Sequence, residues 1–387
     1  MPAKTWTLCD VDNDVYLADW HVGPGEIDVA AKKFSVRKRT LRGGLRDGVD
    51  VVEVDNGAIR YMIVPTRGMG LWKLWRGELE IGWRSPVRGP VHPKFVPVDA
   101  PSGIGWLQGF DELLVRCGLE SNGAPQFKPT GELEYPLHGR IGNLPAHRVE
   151  VTIDPERGKI AVSGVVDEGR LFGNRLRLKS TYTSNFGGTS LRVVDEVINP
   201  SAQSNELELL YHINVGHPLV SAGARLHCPV KRLVPRNDHA AKHVKSWADY
   251  PAGQPGVQEV VYFMELAGDA NGRTRALLEA AHGEAGISVL YKNQQLPYFA
   301  LWKAPLAVED GYVTGLEPTL NWPNPRSFEK EHGRVATLAP GETRRYEVTL
   351  EVHGTSAEVD TARRDVASMS QGFKPEILDR TLPEWCA

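Results

Sequence analysis

Hydrophobic and polar residues alternate with a period of two along much of the chain. The segment "AHRVEVTID" places Val149, Val151 and Ile153 on one face, and "RRYEVTLEVHG" repeats the pattern further along the chain. Because successive side chains of a strand point to opposite faces, these segments predict β-strands with one buried face.

Glycine and proline punctuate these segments. "RLRLKSTYTS" and "LRVVDEVINPS" flank "NFGG", which predicts a hairpin. The chain contains 39 glycines and 27 prolines, many of which separate the strand segments. Strands and helices do not alternate regularly, so the sequence favours an antiparallel arrangement. We therefore predict a mainly β fold, a large antiparallel sandwich with few short helices.

One segment, "TSAEVDTARRDVASMS", has the pattern of a helix. Thr355 and Glu358 have the spacing of a capping box, and Val359, Ala362 and Val366 fall on one face. We predict a C-terminal helix that packs on the sandwich.

We predict a single domain over residues 1–387, with a core at about 50–353, an N-terminal extension at 1–49 and a C-terminal helix and tail at 354–387. Within the core, residues 84–136 are dense in proline and glycine and also carry aromatic residues. A long irregular segment in a compact domain is usually functional. We expect it to fold over one side of the sandwich and to wall a pocket.

Composition and charge narrow the class of partner. The chain is 41% hydrophobic and 24% charged, with 45 basic and 48 acidic residues and a net charge of −3. This balance gives no basic surface for nucleic acid and no polybasic arm for a membrane. We expect a small-molecule or neutral polymer partner, while the oligomeric state stays open.

Two features bear on the compartment. The N-terminal sequence lacks a basic region followed by an apolar run, so no signal peptide is expected, and no apolar stretch is long enough to span a membrane. Four widely spaced cysteines predict free thiols in a reducing compartment. We expect a cytoplasmic protein.

A single carboxylate stands out in "YVTGLEPTLNW". Pro318 favours extended geometry for Glu317, and in a strand Val313, Gly315 and Glu317 share a face that is small around the carboxylate. This face leaves room for a ligand beside Glu317. The alternative is a surface glutamate at a strand end.

Histidines offer further candidates. In "LLYHINVGHP", His212 and His217 point to opposite faces, and His212 shares its face with Asn214. His212 is either a cleft residue or a hydrogen-bonded core histidine. His138 in "LHGRIGN" and Arg67 in "VPTRGMG" lie in glycine-flanked loops that bind a polar ligand or simply form turns.

Aromatic residues precede the Glu317 strand in "LPYFALWKAP". Tyr298, Phe299 and Trp302 suit the apolar faces of a sugar, or belong to the core. The chain has no nucleotide-binding glycine motif, no HExxH and no GxSxG, and its cysteines lack the spacing of zinc ligands. Asp111 and Glu112 in "GFDELL" suggest an exposed turn. We expect no metal and no cofactor.

Roughly residues 50 to 353 resemble the aldose 1-epimerase (galactose mutarotase-like) superfamily. The resemblance rests on "LHGRIGN", "LLYHINVGHP", "LPYFALWKAP", "YVTGLEPTLNWPNP" and "LAPGETRRYEVTLEV". It points to a poorly characterised, aldose epimerase-like branch. It implies a large antiparallel β-supersandwich and an isomerase that acts on a carbohydrate. The His–Gly loop lacks the aromatic ending of the galactose-active members, which leaves the sugar open.

The resemblance also implies roles for individual residues. Glu317 becomes the general base and His212 the general acid, on opposite sides of the sugar. The base has to be ionised before turnover, so we expect a nearby Arg or Lys. The residues expected to contact the substrate are His138, Arg67, Asp238, Trp302, Lys303, Asn214 and Asn321.

Two rival functions remain open from sequence. A lyase- or glycosidase-like enzyme acting on modified sugars would use the same fold, although hydrolysis calls for two well-placed carboxylates. A non-catalytic carbohydrate-binding protein would need the aromatic residues and Arg67 but neither His212 nor Glu317.

Overall fold

The computed structural model describes residues 2–27 and 33–387. The strands of this part of the chain, numbered in chain order, are β1 Lys4–Asp10, β2 Val15–Tyr16, β3 Asp19–Val22, β4 Ser35–Thr40, β5 Asp50–Asp55, β6 Arg60–Val64, β7 Gly70–Arg76, β8 Leu79–Ile81, β9 Leu114–Leu119, β10 Gln126–Phe127, β11 Leu133–Tyr135, β12 Arg148–Asp154, β13 Lys159–Gly169, β14 Arg175–Asn185, β15 Ser190–Ile198, β16 Asn205–Gly216, β17 Arg225–His227, β18 Val230–Pro235, β19 Val260–Leu266, β20 Arg273–Glu279, β21 Gly286–Lys292, β22 Tyr298–Ala304, β23 Val313–Thr319, β24 Ala336–Leu338, β25 Thr343–His353 and β26 Glu376–Ile377.

Helices are short and few among the described residues. The α-helices are α1 Asp238–Lys242, α2 Arg326–Glu331 and α3 Ser356–Met369. Single 3-10 turns cover Val11–Asn13, Gly44–Arg46, Pro93–Phe95, Gly105–Gly109, Ile141–Asn143, Val244–Ser246 and Val308–Asp310.

Two large sheets form the body of the fold. A ten-stranded sheet has the order β17-β20-β21-β25-β15-β14-β13-β12-β1-β2, and a larger sheet has the order β26-β18-β19-β22-β23-β16-β9-β7-β6-β5-β4-β3. In the larger sheet β24 also pairs with β16 and β8 with β7. Pairing is antiparallel except between β18 and β26. The predicted mainly antiparallel β fold with few helices is confirmed.

The main core lies between the inner faces of these sheets. Val151 and Tyr182 of the smaller sheet pack in one cluster with Tyr211, Ile213 and Leu316 of the larger sheet. The alternation seen in the sequence thus sorts inner from outer residues. It leaves the other face of β16 and β23 available for a site.

The predicted hairpin and C-terminal helix both form. The strands that flank "NFGG" are β14 and β15, paired in antiparallel register. Thr355 caps α3 by accepting from the Glu358 N–H, and Val359, Ala362 and Val366 pack on Leu277 of β20.

The described residues before position 50 contribute strands to both sheets. β1 pairs with β12 in the smaller sheet, and β3 and β4 extend the edge of the larger one. They are therefore integrated into the sandwich. Within residues 2–27 and 33–387, no helix is both long and apolar enough to cross a membrane.

Candidate active site

A cleft of about 520 Å³ opens on the outer face of the larger sheet. Its floor comes from β16, β22 and β23, which carry His212, Trp302 and Glu317. Its walls come from residues 83, 85–87, 106–107, 110 and 124–125. The segment 84–136 therefore does wall a pocket, as predicted, although its β9 is a buried strand of the larger sheet.

Glu317 and His212 meet because their strands are neighbours. The register pairs Asn214 with Gly315 and Leu210 with Thr319, so His212 lies opposite Glu317. His212 Nε2 is 3.3 Å from Glu317 Oε1, and both side chains are almost fully buried. Glu317 Oε1 makes no well-aligned hydrogen bond with any described residue, so it is available to a ligand proton.

Small residues leave space around the carboxyl group. Gly315 lies on the same face as Glu317, and a β-carbon there would overlap Glu317 Oε1 and come within 3.2 Å of His212 Cε1. Ala300 of β22 pairs directly with Glu317. The small Glu face expected from sequence is thus present, and its size is set by Gly315 and Ala300.

Asn214 orients the His212 ring from below. Its side-chain amide donates to the carbonyl oxygens of Glu112 at 3.0 Å and His212 at 3.2 Å. Its Oδ1 then accepts from His212 Nδ1 at 2.5 Å. Nδ1 therefore carries a hydrogen, and in the neutral ring Nε2 is an acceptor that faces Glu317.

His138 is held in the cleft by its loop. It adopts a left-handed backbone conformation with φ 59°, and its Nδ1 donates to the Asn122 carbonyl at 2.9 Å. The Asn122 side chain in turn forms a pair of hydrogen bonds with Asn321. Asn321 is buried and lies behind His138, so it supports the site without lining the cleft.

Aromatic rings surround the pair of polar groups. Phe110 and Trp302 lie edge-on to His212 with centroids at 5.1 Å and 5.4 Å, and Trp106 contacts His138 at 4.7 Å. These rings exclude water from one side of the cleft. Such a lining suits the C–H faces of a sugar ring.

The electrostatics of the pair follow from burial. Burial lowers the pKa of His212 to about 3, and His138 adds to the lowering. Burial also raises the pKa of Glu317 well above its usual range, with Glu259 adding to the rise and Arg236 opposing it. Burial therefore favours the neutral form of both groups, in which the proton of the pair lies on Glu317. The expected cation is present as Arg236, but burial has the larger effect.

Arg67 does not belong to the cleft, contrary to the sequence-based expectation. Its guanidinium is 1% exposed and forms a buried ion pair with Glu112. It also donates to Asn143 Oδ1 and to the Val91 and Gly109 carbonyls. Because its donors are used inside the protein, Arg67 supports the wall segment and is not a direct sugar ligand. The expectation that Glu112 lies in an exposed turn is also wrong.

Lys303 and Asp238 also lie outside the cleft. Lys303 alternates with Trp302 and points to the opposite face of β22, where its ammonium donates to the carbonyls of Ser246, Trp247 and Asp249. Asp238 is exposed in the first turn of α1. Both predictions of direct substrate contact are therefore corrected.

Sequence reasoning missed three charged residues of the cleft, Arg236, Glu259 and Asp310. Arg236 follows the end of β18, and Glu259 precedes β19 and accepts from Trp302 Nε1 at 2.6 Å. A signal for Arg236 was available, because Asn237 is a helix-capping residue whose side chain accepts from the Ala240 N–H. Because Asn237 is the cap, Asp238 is the first residue of α1, and Arg236 is the residue between the end of β18 and the cap.

A larger open groove of about 1210 Å³ lies beside the β13–β14 hairpin. Its charged side chains pair with one another, as in Arg170 with Glu120 and Arg326 with Glu206. Because these ion pairs already use much of its charge, the groove is the weaker candidate for chemistry.

Metal ligation finds no support in the described part of the chain. No group of three or more His, Cys, Asp or Glu side chains there could hold a metal ion. The four cysteines are free thiols.

Comparison with solved structures defines the class of fold. The chain superposes with a TM-score of 0.94 on a crystal structure from Klebsiella pneumoniae subsp. pneumoniae MGH 78578 named a "putative aldose 1-epimerase", at 30% identity over 98% of this chain and 99% of that one. A galactose mutarotase-like protein from Clostridium acetobutylicum matches with a TM-score of 0.56 at 16% identity, over 83% and 98% of the two chains. Galactose 1-epimerase from Lactobacillus acidophilus NCFM matches with a TM-score of 0.53 at 12% identity, over 84% of this chain and 99% of that one.

The protein therefore has the galactose mutarotase-like fold, as the sequence resemblance predicted. At 16% and 12% identity, the last two matches show the fold alone. Residues 46–352 match the family described as "Domain of unknown function (DUF4432)", and the chain belongs to that family. No curated protein matches the sequence.

Proposed function

We propose that this protein is an aldose 1-epimerase-like isomerase that interconverts the anomers of a sugar, with Glu317 and His212 as the acid–base pair. One observation carries the proposal. A buried carboxyl and an imidazole lie 3.3 Å apart on the floor of an aromatic-lined cleft. The name of the Klebsiella relative, at 30% identity, supports the same class of reaction.

The reaction needs two proton transfers at neighbouring oxygens. A base removes the proton of the anomeric hydroxyl while an acid protonates the ring oxygen, and the C1–O5 bond breaks to give the open-chain aldehyde. Both oxygens are bonded to C1, so two groups side by side on one floor reach both. This replaces the expectation that Glu317 and His212 lie on opposite sides of the sugar. Each transfer contributes roughly 10² to 10⁴ in rate.

The pair performs the reaction while holding one proton. With the closed sugar, ionised Glu317 takes the anomeric proton and protonated His212 gives its Nε2 proton to the ring oxygen. In the open-chain state the proton lies on Glu317 and His212 is neutral, which is the state that burial favours. Rotation about C1–C2 and the reverse transfers close the other anomer. Arg236 assists the ionised form of Glu317 by lowering its pKa.

The remaining residues bind and orient the sugar. Trp302 and Trp106 provide apolar faces. His138 Nδ1 is occupied by the Asn122 carbonyl, so its Nε2 is the nitrogen left for a sugar hydroxyl. Asn214 keeps His212 in the tautomer whose Nε2 faces Glu317.

Exchange NMR tests this proposal. The α- and β-anomer signals of a panel of aldoses are followed with catalytic amounts of protein at a pH where uncatalysed exchange is slow. We expect at least one aldose to exchange at least about tenfold faster than without protein, as the smaller estimates for acid–base catalysis require. Exchange at the uncatalysed rate for every member of the panel would contradict the proposal.

A further inference from the structure

Among the described residues, the arginine that lines the cleft has no ion-pair partner. Arg236 is half-buried and lines the cleft, held in place by its N–H bond to the Val261 carbonyl at 3.0 Å. Across residues 2–27 and 33–387, its guanidinium has no hydrogen-bond acceptor and no ion-pair partner. This differs from Arg67, whose guanidinium is fully engaged inside the wall.

Arg236 lines the same cleft as Glu317 and His138. Its charge lowers the pKa of each of these two groups. A guanidinium in an apolar-walled cleft has lost part of its hydration, and a bound ligand would remove more.

Acidic residues of the cleft do not neutralise this charge. Glu259 and Asp310 are exposed at the rim, and neither forms an ion pair with Arg236. Glu259 is committed to the Trp302 indole N–H. Glu317 is buried, and burial raises its pKa well above its usual range, which favours its neutral form. Arg236 therefore keeps an unpaired positive charge in the cleft.

The chemistry of a guanidinium indicates what would complete the site. Its planar fork of N–H donors binds carboxylate, phosphate and sulfonate groups by paired, charge-assisted hydrogen bonds. In a pyranose, C5 is bonded to the ring oxygen and carries C6. A negative group on C6 therefore lies close to the ring oxygen on which His212 acts.

We propose that the substrate of this cleft is an anionic aldose, with a carboxylate, phosphate or sulfonate on C6, and that Arg236 is the residue that selects it. The inference rests on the proposed function, because it uses the same cleft and the same acid–base pair. It adds a substrate class that the neutral sugar galactose does not represent.

Matched sugars test the selection. Anomer exchange is measured for glucose against glucuronate, glucose 6-phosphate and 6-sulfonated 6-deoxyglucose, and for galactose against galacturonate. We expect at least one anionic sugar to have a kcat/KM at least about tenfold above that of its neutral partner, as one charge-assisted contact allows. Comparison of the three anions identifies which group the site prefers.

A variant then assigns the preference to Arg236. In Arg236→Gln we expect the ratio of anionic to neutral kcat/KM to fall at least about tenfold, and in Arg236→Lys to fall less, because charge is kept and the paired geometry is lost. Arg84→Gln is the matched control, since Arg84 is exposed just outside the cleft and its loss makes the same change in net charge. We expect the control to keep the wild-type ratio.

The outcomes separate this inference from the proposed function. Equal kcat/KM for neutral and anionic partners, or an unchanged ratio in Arg236→Gln, would overturn the anionic substrate and leave the isomerase standing. Calorimetry on Glu317→Gln measures binding without turnover. Tighter binding of glucuronate than of glucose, together with no exchange by the wild type, would overturn the isomerase and support the anion site. Equal affinity of Glu317→Gln for glucuronate and glucose would count against the anion site.

Discussion

At the scale of single residues, the candidate site depends on how little space surrounds the Glu317 carboxyl. Gly315 lies beside it on the same strand face, and Ala300 faces it from the neighbouring strand. A carboxyl that must exchange protons with a sugar oxygen has to be positioned to within a fraction of an ångström. The glycine is therefore part of the geometry of the reaction.

Gly315→Ala tests this dependence. The new β-carbon would overlap Glu317 Oε1, so the carboxyl has to move away from His212. We expect kcat/KM for anomer exchange to fall by about 10², with a loss of stability of about 1–3 kcal/mol from overpacking. Gly25→Ala is the control, because a β-carbon there meets nothing within 4 Å. Full activity in a folded Gly315→Ala protein would contradict the geometry.

The protonation of the pair gives a second prediction at this scale. The active form holds one proton, so kcat/KM has a bell-shaped pH profile with its alkaline limb set by Glu317. Glu259 raises the pKa of Glu317. In Glu259→Gln the negative charge is gone, the pKa of Glu317 falls, and the proton is lost at lower pH.

We therefore expect the alkaline limb of Glu259→Gln to move to lower pH, while the amide oxygen still accepts from Trp302. The acid limb should stay well below the usual pKa of histidine, because burial lowers the pKa of His212 to about 3. Stopped-flow polarimetry across pH measures both limbs. An alkaline limb that stays in place or moves upward would exclude Glu317 as its source.

At the scale of elements, strand alternation decides which residues of β22 reach the cleft. Trp302 faces the cleft, whereas Lys303 faces the other side and binds three carbonyls of the segment after α1. Burial there lowers the pKa of Lys303 to about 8, yet its ammonium remains fully hydrogen-bonded. Its role is to hold that segment against the sheet.

Lys303→Met separates this structural role from substrate binding. Three backbone carbonyls lose their donor and the packing of the buried lysine changes, so we expect the free energy of unfolding to fall by about 1–3 kcal/mol in urea titrations. We expect KM for the sugar to stay within about threefold of the wild type. Lys245→Met, at an exposed position nearby, is the control. A large rise in KM without loss of stability would return Lys303 to the substrate site.

Elements also show what sequence could and could not predict. The alternation on β16 and β23 was enough to place His212 and Glu317 on the outer face, since their apolar neighbours Tyr211, Ile213 and Leu316 fill the core. By the same rule, adjacent residues such as Trp302 and Lys303 point to opposite faces and do not share a cleft. The expectation that Lys303 contacts the substrate came from the family resemblance alone. The strand pattern therefore predicts which face of the sheet a side chain occupies better than it predicts which groups that side chain contacts.

At the scale of the whole molecule, the parts of the site that escaped prediction depend on long-range assembly. The family resemblance implied that Arg67 contacts the sugar, but the fold brings Glu112 to it from the wall segment and buries both. Arg236 enters the cleft only because β18 lies near β22 and β23 in the larger sheet. Neither arrangement is encoded in a local pattern, since each needs the order of strands in the completed sheet.

The central claim is that Glu317 transfers a proton in a sugar-binding cleft, and one measurement tests it most directly. Glu317→Gln keeps the shape of the side chain but cannot take up a proton. The sugar that the wild type converts fastest is used to measure both the exchange rate by NMR and Kd by calorimetry, with Glu309→Gln, an exposed neighbour of the rim, as control. We predict a fall in exchange rate of about 10² or more with Kd within about threefold, and no change in the control. Exchange at the wild-type rate in Glu317→Gln would contradict the account.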